Sequence, residues 1–206
     1  FTGPCDDGDP CTDGDQCQAN NCTGPLVEGC FYLEPPDLPS CYPGVLSPAR
    51  TLQALGDLNQ IRALSGLAPV TYDTAGAPLT QASSLVMVAN SALSHEPPQS
   101  WACWSQEAAD GAISSNLFIQ WQWEPSHFIP WESMVGWLID EWVVSLGHRR
   151  WMLDPFLSKI SYGAVHGAPQ TPNPDYPAAF ASSLQVVHDE QANLSETDLS
   201  WVAYPV

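Results

Sequence analysis

The sequence predicts an α+β fold in which helices pack on a mostly antiparallel sheet, preceded by a small disulfide-rich module. Three observations point there. Six of the seven cysteines fall within the first 41 residues; apolar residues recur at helical spacing between Ser47 and Gly147; and runs rich in β-branched and aromatic residues follow at 159–165, 178–188 and 199–204. Helices first and sheet later is the order of folds whose helices are segregated onto an antiparallel sheet.

The 206 residues are enough for one substantial domain and a small appendage. We read residues 1–41 as a cysteine- and aspartate-rich module and residues 42–206 as the main domain. A domain of roughly 165 residues buries about 70% of its unfolded surface and folds without help from a metal. The module is different. It has eight acidic residues, no Lys or Arg and few large aliphatics, so cross-links or bound cations must hold it. Cys5, Cys11, Cys17, Cys22, Cys30 and Cys41 contain no CxxC pair and are spaced as a disulfide framework, not a zinc ribbon. Disulfides persist in oxidising compartments, so the protein is expected to be secreted, extracellular or at the cell surface. Without Met at position 1 or a signal peptide, the chain reads as a processed or trimmed product. No stretch approaches the ~20 apolar residues of a membrane span.

Turn signals fill the module: Pro4, Asp7 before Gly8, Pro10 and Asp13 before Gly14. Asp6, Asp7, Asp9, Asp13 and Asp15 set carboxylates around glycine turns, the donor type a hard cation such as Ca²⁺ takes, although the twelve-residue EF-hand loop is not met. The other reading is a solvated acidic turn. A proline-bearing link containing Pro35, Pro36 and Pro39 marks the domain boundary near Cys41.

The main domain opens with a helix. Ser47 is a good N-cap and Pro48 suits the first helical position. Leu52, Leu55, Leu58, Ile61 and Leu64 keep helical spacing, and Gly66 supplies the stop. A second helix is predicted over residues 78–93 and is ended by Pro97 and Pro98. A third opens at Pro130, carries Trp131, Met134, Val135, Leu138 and Trp142, and is closed by Gly147. Trp121 and Trp123 alternate with glutamines in a stretch read as loop, which suggests exposure on one side and stacking on a sugar, sterol or partner protein; the other reading, and the one the residue type favours, is packing in the core or the cleft wall.

The formal charge of −18 repels nucleic-acid backbones and anionic membranes, so neither is an expected partner. With seven cysteines, one is left over or pairs between chains. Cys103 is expected to pair with Cys30 or Cys41, tying the module to the main domain. The odd cysteine left in the module is then free, modified, or a link for self-assembly.

Asn59, Gln60, Ile61 and Arg62, then Gly66, Leu67, Pro69, Val70, Tyr72 and Asp73, resemble the opening of the CAP superfamily of cysteine-rich secretory proteins, antigen 5 proteins and pathogenesis-related proteins. Ser94, His95, Pro97 and Pro98, then Ser115, Asn116 and Leu117, and finally the run from Gly147, His148, Arg149 and Arg150 to Trp151 and Pro155 are similar to its bacterial branch. The resemblance covers about residues 48–201. It implies a three-layer α-β-α sandwich with an open cleft holding two histidines and two acids. The histidines carry over to His95 and His148. The first acid belongs to a Gly-Glu-Asn-Leu sequence, and here Ser115 takes the glutamate's place. The second ends a Trp-x-x-Glu pattern, and here Asp140 follows Trp137, with Glu141 beside it.

Two neutral imidazoles with Asp140 and a water are a donor set for Zn²⁺ or another divalent metal, and such a site with an open position supports metal-assisted hydrolysis. A serine nucleophile at Ser115 lacks the Gly-x-Ser-x-Gly elbow. The loss of the first glutamate favours a non-enzymatic extracellular binding, matrix or assembly protein, its ligand a protein, glycan or lipid. The alternative is a metal-assisted, protease-like hydrolase using the same cleft.

Overall fold

Ser47 begins the main domain as its sequence predicts: its Oγ accepts from the Arg50 amide, and helix α1 runs over Pro48–Leu64. The structure, a computed structural model, describes residues 3–5, 14, 16–18, 21–23, 30–122, 132–141, 143–171 and 175–188. The calcium candidates Asp6, Asp7, Asp9, Asp13 and Asp15, together with Cys11, Trp123, Trp131, Trp142 and the strand expected at 199–204, lie outside the described residues. Within the module, β1 (Gln16–Gln18) pairs antiparallel with β2 (Asn21–Thr23). Cys5 and Cys30 are disulfide-bonded, whereas Cys17 is a free thiol, so it is not a member of the disulfide framework.

The boundary expected near Cys41 does not separate two packing units. Phe31 and Leu38 are buried with the main-domain core, and β3 (Tyr32–Glu34) pairs with β4 (Val45–Leu46) just before α1. The proline-bearing link is the turn region of this hairpin-like strap, because its apolar residues have the main-domain core to pack into. Cys41 bonds Cys103 across 62 residues of sequence, a closure that stabilises by about 4 kcal/mol through the unfolded chain.

The central sheet has the order β5 (Thr71–Tyr72), β7 (Lys159–Gly167), β8 (Ala178–Gln185) and β6 (Ser115–Gln122). The β5–β7 pair is parallel and the other two pairs are antiparallel. Strand alternation divides the core in two. Ile160, Tyr162, Ala164, Phe118, Phe180 and Leu184 face α1, α4 (Glu132–Ile139) and α5 (Gly147–Met152). Val165, Leu117, Ile119, Ala179 and Ala181 face α2 (Ala77–Asn90) and α3 (Gln106–Ile113). The fold is therefore an α-β-α sandwich. The α2 side has a close, small-residue contact: a Cβ on Gly163 would stand 2.3 Å from the Thr80 carbonyl carbon, and Ser84 Oγ donates to Gly163 O at 3.0 Å.

Short β5 covers only Lys159 and Ile160 of β7. Beyond it, side chains take over the exposed edge. Tyr72 Oη donates to Tyr162 O, the Gln81 amide bonds both Ala164 O and Ala164 N, and the His166 amide donates to Tyr32 Oη. An open strand edge invites pairing with other chains, and these three side chains close it.

Two expectations are corrected. The stretch read as loop around Trp121 is strand β6, in which Ile119 and Trp121 alternate with Gln120 and Gln122; the Trp121 indole, 42% exposed, bonds Ser91. The third helix does not run through to Gly147. It stops at Ile139, Asp140 adopts φ +55°, and Gly147 opens α5 instead of closing its predecessor. The carboxylate of Asp140 makes that break, as its bonds show.

Candidate functional site

The break between α4 and α5 is built from five side chains. Asp140 closes α4 by donating its amide to Gly136 O at 2.8 Å, and its own side chain is fully buried. Carboxylate Oδ1 accepts from His148 Nδ1 at 2.7 Å, and Oδ2 accepts from the Arg149 amide at 3.2 Å. One carboxylate thus orients the imidazole and satisfies an amide at the start of α5, where a negative charge is favourable. The Arg149 guanidinium turns back to donate to Leu138 O and to Ile139 O, the latter at 2.6 Å, satisfying carbonyls left open where α4 ends. From the sheet, Asn116 Nδ2 donates to His148 O at 3.0 Å, and the buried Trp137 indole donates to Leu117 O at 2.9 Å. Asp140 and Leu146 both hold left-handed backbone, φ +55° and +50°, a conformation costly outside glycine and found where surroundings over-determine it.

The His148 side chain is 26% exposed. With Nδ1–H held by the carboxylate, Nε2 is the nitrogen left to accept a proton, a hydrogen bond or a ligand. His95 is held similarly: it is exposed, and its Nδ1 bonds Ala112 O at 2.9 Å.

The structure brings Asp140 and His148 into contact. Ser115 is buried, its Oγ without a hydrogen-bond partner among the described residues. Alternation along β6 sets it with Leu117 and Ile119 on the α2 side of the sheet, opposite to Asn116, which reaches His148. Glu141 is exposed beside the break. Among the described residues, no three His, Cys, Asp or Glu side chains gather as a metal-binding group. His95, His148 and Asp140 therefore do not fit the zinc set that their residue types imply, and both Asp140 oxygens are already engaged. Arg149 and Asn116 were missed as positioning residues, although each adjoins a residue that the sequence had marked: Arg149 follows His148, and Asn116 follows Ser115.

No curated protein matches the chain. Among solved structures it is similar to the 1.5 Å crystal structure of an extracellular protein containing an SCP domain from Bacillus anthracis str. Ames, with 18% identity and a TM-score of 0.42, over 69% of this chain and 45% of that one. The chain thus spans less than half the length of that relative. Residues 55–172, more than half of this sequence, match the CAP family, the cysteine-rich secretory proteins, and the chain belongs to that family.

Proposed function

We propose that this chain is a non-enzymatic extracellular binding or assembly protein of the CAP family, which presents the half-open His148 ring and the surface around it to a partner. The observation that carries this reading is the double engagement of Asp140. Its carboxylate, buried and bonded through both oxygens, works as the joint between two helices. Extracellular placement is supported by the disulfides, including Cys41–Cys103, since such bonds persist in oxidising compartments. No helix among the described residues is long and apolar enough to cross a membrane.

One observation favours a second reading, hydrolysis. A buried carboxylate that fixes a histidine tautomer also prepares Nε2 as a general base toward water. The decisive experiment sets wild type beside His148→Ala, with an unfolded protein and a set of chromogenic esters as substrates, and determines the metal content of both desalted proteins. The expected result is no turnover and no stoichiometric zinc in either. Cleavage by wild type that disappears in His148→Ala overturns the binding reading and establishes the hydrolytic one.

A further inference from the structure

Arg150 and Trp151 stand side by side on a cleft of about 400 Å³, whose other walls among the described residues are Gly147, Asp154 and Pro155. Gly147, Arg150, Trp151 and Asp154 are spaced at i, i+3, i+4 and i+7, so α5 and the turn that follows it present one face to the cleft. His148 is not one of these walls.

Three side chains here have unspent bonding capacity. The chain has five basic residues, and four of them serve the frame. Arg50 and Arg62 are buried, Arg149 donates to carbonyls where α4 ends, and Lys159 pairs with Asp73 at 3.0 Å. Arg150 is exposed, and its guanidinium bonds no group among the described residues. The indoles of Trp104, Trp121 and Trp137 each donate to the protein. Trp151 is 43% exposed, and its indole N–H donates to none of the described residues. Asp154 Oδ1 accepts from the Phe156 amide at 2.8 Å, and its Oδ2 accepts from none of the described residues.

These groups narrow the ligand. An apolar guest would strip water from a guanidinium and a carboxylate and return nothing. A polyanion is repelled by a chain of formal charge −18, and a cationic guest would set its charge against Arg150. A neutral polyhydroxylated ring suits all three side chains. A hydroxyl both donates and accepts, so it can accept from Arg150, which only donates, and donate to Asp154, which only accepts. The C–H face of such a ring can cover the open indole of Trp151, a surface that is apolar in its body and polar at its N–H.

We infer that the Arg150–Trp151–Asp154 cleft binds a neutral hexose unit of a glycan, held against the Trp151 ring. Its volume lies in the range of small-molecule sites, roughly 300–1,000 Å³. A glycan is then the partner in the binding reading above, on which this site rests.

Calorimetric titration of the whole chain with cellopentaose, mannopentaose and the N-acetylglucosamine pentamer, and with pentagalacturonate as the anionic counterpart, tests this. The expected result is saturable binding of at least one neutral pentamer at one per chain, with pentagalacturonate at least tenfold weaker. Trp151→Ala should weaken that binding tenfold or more by removing the stacking surface. Arg150→Gln should weaken it about tenfold, the order that a hydrogen bond from a charged group supplies. The melting temperature of Arg150→Gln should be unchanged, because this guanidinium bonds nothing in the fold. The proposal is overturned by any of three results: no saturable binding of any neutral pentamer, pentagalacturonate binding as tight as the neutral sugars, or undiminished affinity in either variant. Failure to bind sugar leaves the binding reading standing, since turnover lost in His148→Ala is what overturns that one.

Discussion

Where α1 meets the loop after α5, Arg62 is wholly buried, and its guanidinium donates to four carbonyls, those of Ala68, Met152, Asp154 and Leu157. Where α4 gives way to α5, Arg149 is only partly buried and reaches two carbonyls, those of Leu138 and Ile139. Both arginines do the same work, supplying donors to carbonyls that irregular backbone leaves open. The surroundings differ. At the Arg62 corner the cation itself is wholly enclosed and is spent on carbonyls alone. The Arg149 corner adds a buried carboxylate, a histidine with one open nitrogen and two residues in left-handed backbone. One corner holds the fold together, and the other spends similar interactions on holding an imidazole in a fixed orientation.

The largest expected effect is at the closed corner. Arg62→Met keeps much of the side chain's length but leaves four carbonyls without their donor. It should lower unfolding stability by roughly 3 kcal/mol or more, read from urea denaturation. A loss of about 0.5 kcal/mol or less, the size of an ordinary surface change, would mean that water replaces the guanidinium at these carbonyls.

A smaller effect belongs to the open corner. Asp140→Asn preserves shape but turns a double acceptor into a group with a single acceptor oxygen. A stability loss of about 1–2 kcal/mol is expected, and the His148 ring should lose its fixed tautomer. Nitrogen NMR of the imidazole reads the second consequence directly. In wild type the proton should sit on Nδ1, and in the variant it should distribute over both nitrogens. An unchanged tautomer would show that the carboxylate does not orient the ring.

The contrast between these corners was only half legible in the sequence. The α1 start was plain, because Ser47 and Pro48 are local signals whose physics acts within one turn. The α4–α5 break was not, because Met134, Val135 and Leu138 keep a helical period up to Asp140 and nothing local announces that its carboxylate will be bonded from His148, eight residues on. Strand β6 carries a period-two pattern only in Ile119 and Trp121, because Phe118 makes both faces apolar around it, and the glutamines beside Trp121 read as loop. Helix α3 buries only Ala108, Gly111 and Ala112, residues too small to raise an apolar period, and it was passed over in the sequence. At the site, His148 and Asp140 came from the resemblance to the CAP superfamily, carried over residue by residue. That Ser115 lies on the other side of the sheet depends on strand parity, which becomes visible once β6 is recognised.

The smallest effect concerns histidines, and it separates the frame from the site by pH. His166 lies on β7 within the frame, and burial holds its pKa below the usual value of 6.5; burial is also the largest cause lowering His188. The unfolded chain therefore takes up protons near pH 6.5 that the folded chain refuses. Stability from these groups is full above that pH, declines as pH falls from about 6.5 toward the lowered folded values, and levels off below them. His166→Phe should flatten this decline in part, leaving the share of His188, when melting temperature is followed through the same interval. An unaltered slope in His166→Phe would show that His166 takes up its proton as readily folded as unfolded, and would place the pH response of the protein outside the β7 frame.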